Sequence, residues 1–302
     1  MKKPSTAHLA TLALLLVTAA WGSTFVAMKF AIMHMPAADF LTLHFVLASL
    51  LMLLPFPRHM QNLSRKAIGK GLLIGTLYGI AQLLQIWGLR FISPGISGFV
   101  TGMYVVLTPI MATFLLRQRL PLMQWIAVAL VTAGLGLLSL HDWSPGVGVG
   151  VWLTLVSAIF FALHTVALGH WAGRHDVLGL SVVQLVTIAA VSALATLPHG
   201  GPGLPPDITT WVLVLYMTLV AVFGIFIQTW AMSYLSSTHA AIVMVSEPVF
   251  AAVFAVVFGY DMPSLQMVTG GALVMVAMYL VELSPRRQPV ATSATEFFHH
   301  EL

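Results

Sequence analysis

The sequence contains no cysteine among its 302 residues. This absence excludes disulfide frameworks, thiol catalysis and metal sites with cysteine ligands. Charged residues are scarce as well, at 7%, whereas hydrophobic residues make up 59% of the chain. Soluble domains carry roughly a quarter charged residues. The composition therefore predicts an integral membrane protein.

The few basic residues predict an orientation in the membrane. A formal net charge of +4 and a pI near 9.6 would suit a nucleic-acid partner, but the basic residues lie in short loops between apolar segments. Of the 13 lysines and arginines, only Lys29 and Arg90 lie on the outer side if the N-terminus is cytoplasmic. Positive charge is typical of cytoplasmic loops. We therefore predict no nucleic-acid partner, both termini in the cytoplasm, and a multi-pass protein of the cell inner (cytoplasmic) membrane.

Long apolar stretches predict the number of membrane spans. A helix needs about 20 apolar residues to cross the hydrocarbon core. Ten stretches approach this length: 8–31, 38–56, 68–91, 95–116, 121–140, 148–171, 177–197, 209–234, 238–258 and 264–283. The first resembles a signal peptide, but it is too long and lacks a convincing cleavage site, so we interpret it as a retained span. We predict an all-α protein of ten transmembrane helices, with a disordered cytoplasmic tail over 285–302.

The two halves of the chain resemble each other in sequence. Gln85-x-Trp87 recurs as Gln228-x-Trp230, and a mid-span proline recurs, at offsets of 139 to 143 residues. Each half holds five spans, an odd number, so the second half must enter the membrane inverted. Inverted repeats are typical of secondary transporters, whose substrate site lies near the midplane between the repeats. The predicted repeats cover 5–141 and 147–284.

A carboxylate and two prolines interrupt the apolar spans. Glu247 lies near the middle of the ninth span, where a charge costs roughly 2.5 kcal/mol or more, so a functional role is the default expectation. It could exchange protons and couple transport to a gradient, or bind the amino group of a substrate; its structural alternative is to cap backbone groups loosened by Pro248. Pro109 and Pro248 occupy matched places and are predicted hinges or gates. We favour coupling or gating for all three residues.

Polar side chains share helical faces in several spans. Tyr78, Gln82 and Gln85 are spaced by four and three residues, so they lie on one face and should point at water, substrate or another helix. Thr101 and Tyr104 form a similar stripe. For a single glutamine, joining helices and lining a path are equally good interpretations, and for an intramembrane histidine a bond to a neighbouring helix is favoured. The predicted substrate-binding residues are Trp21, Thr24, His44, Tyr78, Gln82, Gln85, Tyr104, His164 and Gln228.

Three motifs carry a resemblance to a known family. They are WGSTFVAMKFAI in the first span, GISGFVTGMYVVLTPIMATFLL in the fourth, and THAAIVMVSEPVFAAVFAVVFGYDMPSLQMVTGGALV in the ninth and tenth. They resemble the drug/metabolite transporter superfamily, specifically its EamA-type ten-helix transporters. The resemblance implies a polytopic carrier of small metabolites, often amino acids, with an alternating-access cavity between the repeats. The chain departs from the family pattern at His44, where relatives usually carry arginine, and at Arg119 and Asp261, where they usually carry glutamate.

We therefore expect a secondary transporter of a small metabolite, with an amino acid as the favoured substrate and export as the favoured direction. Tyrosine and tryptophan in the lining offer ring faces together with a hydrogen-bonding tip, which suits an amino acid with an apolar side chain. The expected partners are a small-molecule substrate and membrane lipid. A monomer is compatible with the sequence, which leaves the oligomeric state open.

Two alternatives remain. One is efflux of mixed hydrophobic drugs. The other, remote, is an intramembrane serine protease, since 95–98 fits Gly-x-Ser-Gly and Ser97 would need His164 or His239 as its base. We expect no enzyme activity, no catalytic residue, no metal and no cofactor.

Overall fold

The computed structural model describes residues 6–54, 63–115, 122–139, 145–172, 175–235, 240 and 243–283. These ranges form eleven α-helices, a short 3-10 turn at Leu197–His199 and no strand. The helices are α1 (Thr6–Ala31), α2 (Ala37–Leu53), α3 (Arg65–Gly88), α4 (Pro94–Gly102), α5 (Tyr104–Leu115), α6 (Leu122–Ser139), α7 (Pro145–Trp171), α8 (Val177–Leu194), α9 (Ile208–Tyr234), α10 (Ser246–Val257) and α11 (Leu265–Leu283). The predicted all-α class is confirmed over these residues, whereas Arg119, His239 and the tail 285–302 lie outside them.

Five helices are long and apolar enough to cross a membrane. They are His8–Ala31, Arg65–Gly88, Gly146–Trp171, Val177–Leu194 and Ile208–Tyr234. The remaining apolar helices of the described ranges are shorter. Large apolar side chains lie exposed on the outer faces of the long helices. Leu16 of α1 is 72% exposed, and Phe223 of α9 is 58% exposed. Apolar surface of this extent requires hydrocarbon around it, so the protein is a membrane protein.

Polar caps in the connecting turns determine where several helices begin. Ser64 Oγ accepts a hydrogen bond from Ala67 N at 3.1 Å, and Asp207 Oδ1 accepts one from Thr210 N at 2.8 Å. A side-chain oxygen at this position pairs with an N–H group that has no partner within the helix. The bond from the Thr210 N–H also holds the pKa of the exposed Asp207 carboxyl below its ordinary value.

The fourth and ninth predicted spans are interrupted, each a few residues before its proline. The fourth consists of α4 and α5, with a turn at Met103 between them, and the helical path of the ninth is broken at Val245. Proline follows each break, at Pro109 within α5 and at Pro248 within the first turn of α10. Proline has no N–H to bond the carbonyl four residues earlier, and it is tolerated best in the first turn of a helix. Because α10 begins at Ser246, Glu247 lies in the first turn of this helix and not in mid-helix.

The helices of the two halves pack against one another symmetrically: a contact made by a helix of one half has an equivalent made by its counterpart in the other half. α3 packs on α7 and α8, and its counterpart α9 packs on α1 and α2. α2 packs on α8, α4 on α10 and α6 on α11, each pair being made of counterparts. This arrangement places the centre of the bundle between the first and second halves of the chain.

Glycine permits the closest approach between α3 and α7. A Cβ on Gly88 would lie 2.8 Å from the carbonyl oxygen of Gly150, and a Cβ on Gly150 would lie 2.9 Å from the carbonyl oxygen of Gly88. No side chain fits at either position without a shift of backbone. Small residues at such contacts are typical of membrane helix pairs.

We expect Gly88→Ala to destabilise the protein by about 1–3 kcal/mol, the usual range for overpacking. The matched control is Gly69→Ala in the same helix, because a Cβ on Gly69 meets nothing within 4 Å. The control should be neutral or stabilising, since alanine favours helix. Thermal unfolding of both variants in detergent measures the difference. Equal unfolding temperatures would contradict close α3–α7 packing.

Candidate functional site

A small cavity lies between the two halves of the chain. The first half contributes α1, α3, α4 and α5, through Trp21, Thr24, Phe25, Tyr78, Gln82, Gln85, Thr101 and Tyr104. The second half contributes α7, α9 and α10 and the residues before α10, through Phe161, His164, Thr165, Gln228, Met244 and Glu247. The cavity is therefore built jointly by both repeats.

Glu247 and Tyr104 join the two interrupted spans across the cavity. The Tyr104 hydroxyl donates a hydrogen bond to Glu247 Oε2 at 3.2 Å, and the Glu247 side chain is only 8% exposed. Tyr104 begins α5 and Glu247 lies in the first turn of α10. The unpaired N–H groups and partial positive charge of a helix start favour a carboxylate there. The local structure thus explains how an acidic side chain is accommodated deep in the bundle.

The amide side chains on α3 and α9 face the cavity with acceptor groups unused. Gln85 Nε2 donates to Thr101 Oγ1 at 3.0 Å, and Gln82 Nε2 donates to the Tyr78 hydroxyl at 3.1 Å. Gln82 Oε1 and Gln228 Oε1 are buried and have no hydrogen-bond partner among the described residues. A buried acceptor without a partner costs roughly 1–3 kcal/mol. Both residues line the cavity, so each oxygen is an unsatisfied acceptor at its wall.

Aromatic rings from both halves form one side of the cavity. The Tyr78 ring lies 5.2 Å from the Phe161 ring and 5.0 Å from the His164 ring, each in an edge-to-face arrangement. The Tyr104 ring lies 6.1 Å from Phe161. These contacts hold the rings in place and present faces and edges for a ligand.

His164 is tied to a neighbouring helix while it borders the cavity. Its Nε2 lies 3.2 Å from Gln184 Oε1 on α8, and Gln184 Nε2 donates to Leu180 O at 3.3 Å. Because a carbonyl oxygen accepts, the ring proton of His164 resides on Nε2 in this pair. In this arrangement the hydrogen bond to Gln184 fixes the orientation of the His164 ring at the edge of the cavity.

Nine of the twelve predicted residues line the cavity, His44 and Pro248 do not, and the side chain of Pro109 is outside the part of the chain that the structure describes. His44 is buried among aromatic rings, with Nδ1 2.9 Å from Phe40 O and its ring centroid 4.1 Å from that of Phe45. Pro248 is buried where α10 packs on α4, since a Cβ on Gly98 would lie 3.9 Å from the Pro248 Cα. The proposed roles of all twelve remain predictions.

The cavity also contains side chains outside the predicted set, namely Phe25, Thr101, Phe161, Thr165 and Met244. Trp21 and Phe25 map onto Phe161 and Thr165 at the offset of 140 residues that relates Thr24 to His164. Applying this offset to the predicted residues of the first span would have found Phe161, whereas Thr165 corresponds to Phe25, which was not predicted either. Thr101 shares the polar stripe of Tyr104. Met244 is an apolar residue in an apolar span and carries no sequence signal.

The described residues show no arrangement for the alternative chemistries. Among them, no group of three or more His, Asp or Glu side chains is placed to hold a metal ion. Ser97 is buried and its Oγ has no hydrogen-bond partner in the described ranges, while His164 is bonded to Gln184. His239 lies outside the described residues. A serine–histidine pair with His164 is therefore not formed.

A family model decides the class of protein. The model of the EamA-like transporter family matches the chain twice, over residues 8–140 and 148–283. The chain belongs to the EamA-like transporter family. The resemblance inferred from the sequence motifs is confirmed.

Relatives of this family member are also named as transporters. The chain is 29% identical, over 91% of its length and 86% of the relative's, to an uncharacterized transporter of Archaeoglobus fulgidus. It is 25% identical, over 80% of its length and 85% of the relative's, to the pseudopaline exporter CntI of Pseudomonas aeruginosa. A protein of known crystal structure shares the fold with a TM-score of 0.65 at 19% identity, covering 92% of this chain and 96% of that one.

Proposed function

We propose that this EamA-family transporter exports a small polar metabolite of the amino-acid class by alternating access. The observation that carries the proposal is the cavity between the halves, bridged by the hydrogen bond from Tyr104 to Glu247. A site shared by two repeats changes its accessibility when one repeat rocks against the other. The proposed partners of the protein are the substrate and membrane lipid.

The proposed arrangement has ten transmembrane helices in two inverted repeats over 5–141 and 147–284, with both termini in the cytoplasm. The symmetric packing of counterpart helices and the two matches to the family model support this arrangement. The excess of positive charge on one side supports the orientation. The proposed location is the cell inner membrane, as expected from the sequence.

Export is supported by the relative named as a pseudopaline exporter. A polar substrate is supported by the lining, which offers amides, hydroxyls and one carboxylate together with aromatic rings. Efflux of mixed hydrophobic drugs is the second candidate, supported by the rings alone. An enzyme is disfavoured by the family and by the absence of a bond between Ser97 and His164 in the described residues.

We expect purified protein in liposomes to take up a few members of a labelled amino-acid panel above the level of empty liposomes. Tyr78→Ala removes an aromatic wall, and Gln85→Ala removes the donor to Thr101. Each should raise the apparent KM at least about tenfold, a change equal to about 1.4 kcal/mol. Tyr234→Ala is the matched control, because Tyr234 is exposed at the end of α9.

Unchanged affinity in both Tyr78→Ala and Gln85→Ala, at normal membrane insertion, would contradict this lining. If no amino acid is taken up by the unaltered protein, the amino-acid class is wrong. A panel of hydrophobic cations then tests the drug-efflux alternative.

A further inference from the structure

We propose that the cavity recognises its substrate through the substrate's protonated amino group and forms no ion pair with a carboxylate. Primary amines that lack the carboxylate should then bind at least as tightly as the corresponding amino acids. This inference rests on the proposed transport function and specifies the chemistry of its substrate.

The charges around the cavity favour a cation. Glu247 is the acidic residue among the described residues of the lining, and none of these is a lysine or an arginine. Lys29, on α1, directs its Nζ to the carbonyl oxygens of Leu89 at 2.7 Å and Ile92 at 3.0 Å, where it caps the end of α3. When Glu247 is ionised, a substrate carboxylate would meet its negative charge without a lysine or arginine partner among the described lining residues, and repulsion between like charges is strong in a medium of low dielectric constant.

Two buried acceptors of the cavity lack a partner among the described residues. Gln228 is 2% exposed and its Oε1 has no partner among the described residues, as is also true of Gln82 Oε1. An ammonium group has three donors and no acceptor. Glu247, Gln82 and Gln228 therefore offer acceptors from three different helices, α10, α3 and α9, that line the same cavity.

Many donors that a carboxylate would need are already used within the protein. The Tyr104 hydroxyl donates to Glu247, Gln85 Nε2 to Thr101, and Gln82 Nε2 to the Tyr78 hydroxyl. The threonine hydroxyls on α1 and α7 donate to backbone carbonyls, Thr24 to Trp21 O at 2.6 Å and Thr165 to Phe161 O at 2.8 Å. The hydroxyls of Tyr104, Thr24 and Thr165 could donate to an acceptor-only group only by giving up these bonds, whereas an ammonium group leaves them in place.

The aromatic rings add to the preference for a cation. Tyr78, Tyr104 and Phe161 converge on the same space, with centroid separations of 5.2 and 6.1 Å to Phe161. The face of an aromatic ring attracts an ammonium group and repels an anion. Acceptors and ring faces thus select the same end of an amino acid.

Matched triplets of ligands test the inference on the full-length protein in liposomes. Each triplet is an amino acid, its decarboxylated amine and its deaminated acid: phenylalanine, phenethylamine and 3-phenylpropionate, with the equivalent sets for leucine and for glutamine. Inhibition of uptake of the best amino acid from the panel gives each apparent Kd. We expect the amine of the best triplet to compete with a Kd equal to or lower than that of its amino acid, and the acid to compete at least about tenfold less well.

Gln228→Leu tests the structural basis. It removes the unpaired acceptor and keeps a side chain of similar size, and no described group loses a partner. It should weaken amine competition about tenfold. Ser192→Ala is the matched control, because Ser192 Oγ is also buried and unpaired in the described residues but does not line the cavity; amine competition should be unchanged.

The inference is overturned if the amino acid is transported but its amine competes tenfold less well, or if the deaminated acid competes as well as the amino acid. It is also overturned if Gln228→Leu and Ser192→Ala behave alike. Absence of any amino-acid uptake contradicts the proposed function instead. In that case uptake of labelled phenethylamine supports amine recognition alone, and its absence overturns amine recognition too.

Discussion

Glu247→Gln will abolish substrate accumulation driven by a proton gradient, while counterflow persists at saturating substrate because the glutamine amide oxygen can still accept a hydrogen bond from the substrate. Glutamine has nearly the same shape, and its amide oxygen can still accept the hydrogen bond that Tyr104 donates to Glu247 Oε2. It cannot take up and release a proton. Coupling requires that the titratable group change its state between the two faces of the membrane, whereas exchange of substrate for substrate does not.

Two assays on the same liposomes measure this outcome, one with an imposed proton gradient and one with saturating unlabelled substrate inside. Accumulation by Glu247→Gln should fall to the level of empty liposomes, and counterflow should persist. Asp207→Asn is the control, because this exposed carboxylate caps α9 and asparagine caps equally well. Loss of both activities would identify Glu247 as a binding group alone. Retention of both would mean that Glu247 neither couples nor binds.

Cross-linking residue 95 to residue 261 will stop transport, and reduction will restore it. Asp261 Oδ2 accepts a hydrogen bond from Gly95 N at 3.0 Å, which joins the start of α4 to the turn before α11. Asp39 Oδ2 accepts one from Gly203 N at 3.1 Å, a second contact between the halves. In the proposed orientation both contacts lie on the outer side, so they must separate when the cavity opens outward.

The chain suits this experiment because it has no cysteine of its own. A Cβ on residue 95 would lie 3.4 Å from Asp261 Cγ, the atom whose place the Sγ of a cysteine at 261 takes in the same rotamer, so the two side chains come close enough for a disulfide. Gly95→Cys with Asp261→Cys should therefore form a disulfide on mild oxidation. Oxidised protein should show no uptake, and a reducing agent should restore it; each single substitution is a control. Full uptake by the cross-linked protein would rule out separation of these two segments during transport.

The membrane-spanning class, the internal repeat and much of the cavity could be predicted from the sequence. Polar groups in an apolar span need partners, so Tyr78, Gln82 and Gln85 had to face the interior, and the structure brings all three to the cavity. The repeat linked Thr24 to His164 and Gln85 to Gln228, and all four border the same space. Helical spacing places these polar groups on one face, and the cost of exposing a polar group to lipid turns that face towards the interior.

The outcome for His44 was decided by tertiary packing. Its sequence context resembles that of the other polar residues in spans, but α2 turns it among Phe40 and Phe45, with Nδ1 on the Phe40 carbonyl. Nothing in the sequence distinguishes a histidine whose partner is its own helix from one whose partner is the cavity. The distinction depends on the rotation of α2 relative to α8 and α9, on which it packs.

The sequence by itself determined that this chain lies in a membrane, is helical and consists of two related halves, because composition and periodicity carry these properties. It also singled out Glu247, because a carboxylate within an apolar run is costly. Only the tertiary structure decided that Glu247 lies at a helix start and meets Tyr104 from the other half. That contact joins residues 143 positions apart, and it depends on how two interrupted spans cross, which no local pattern encodes.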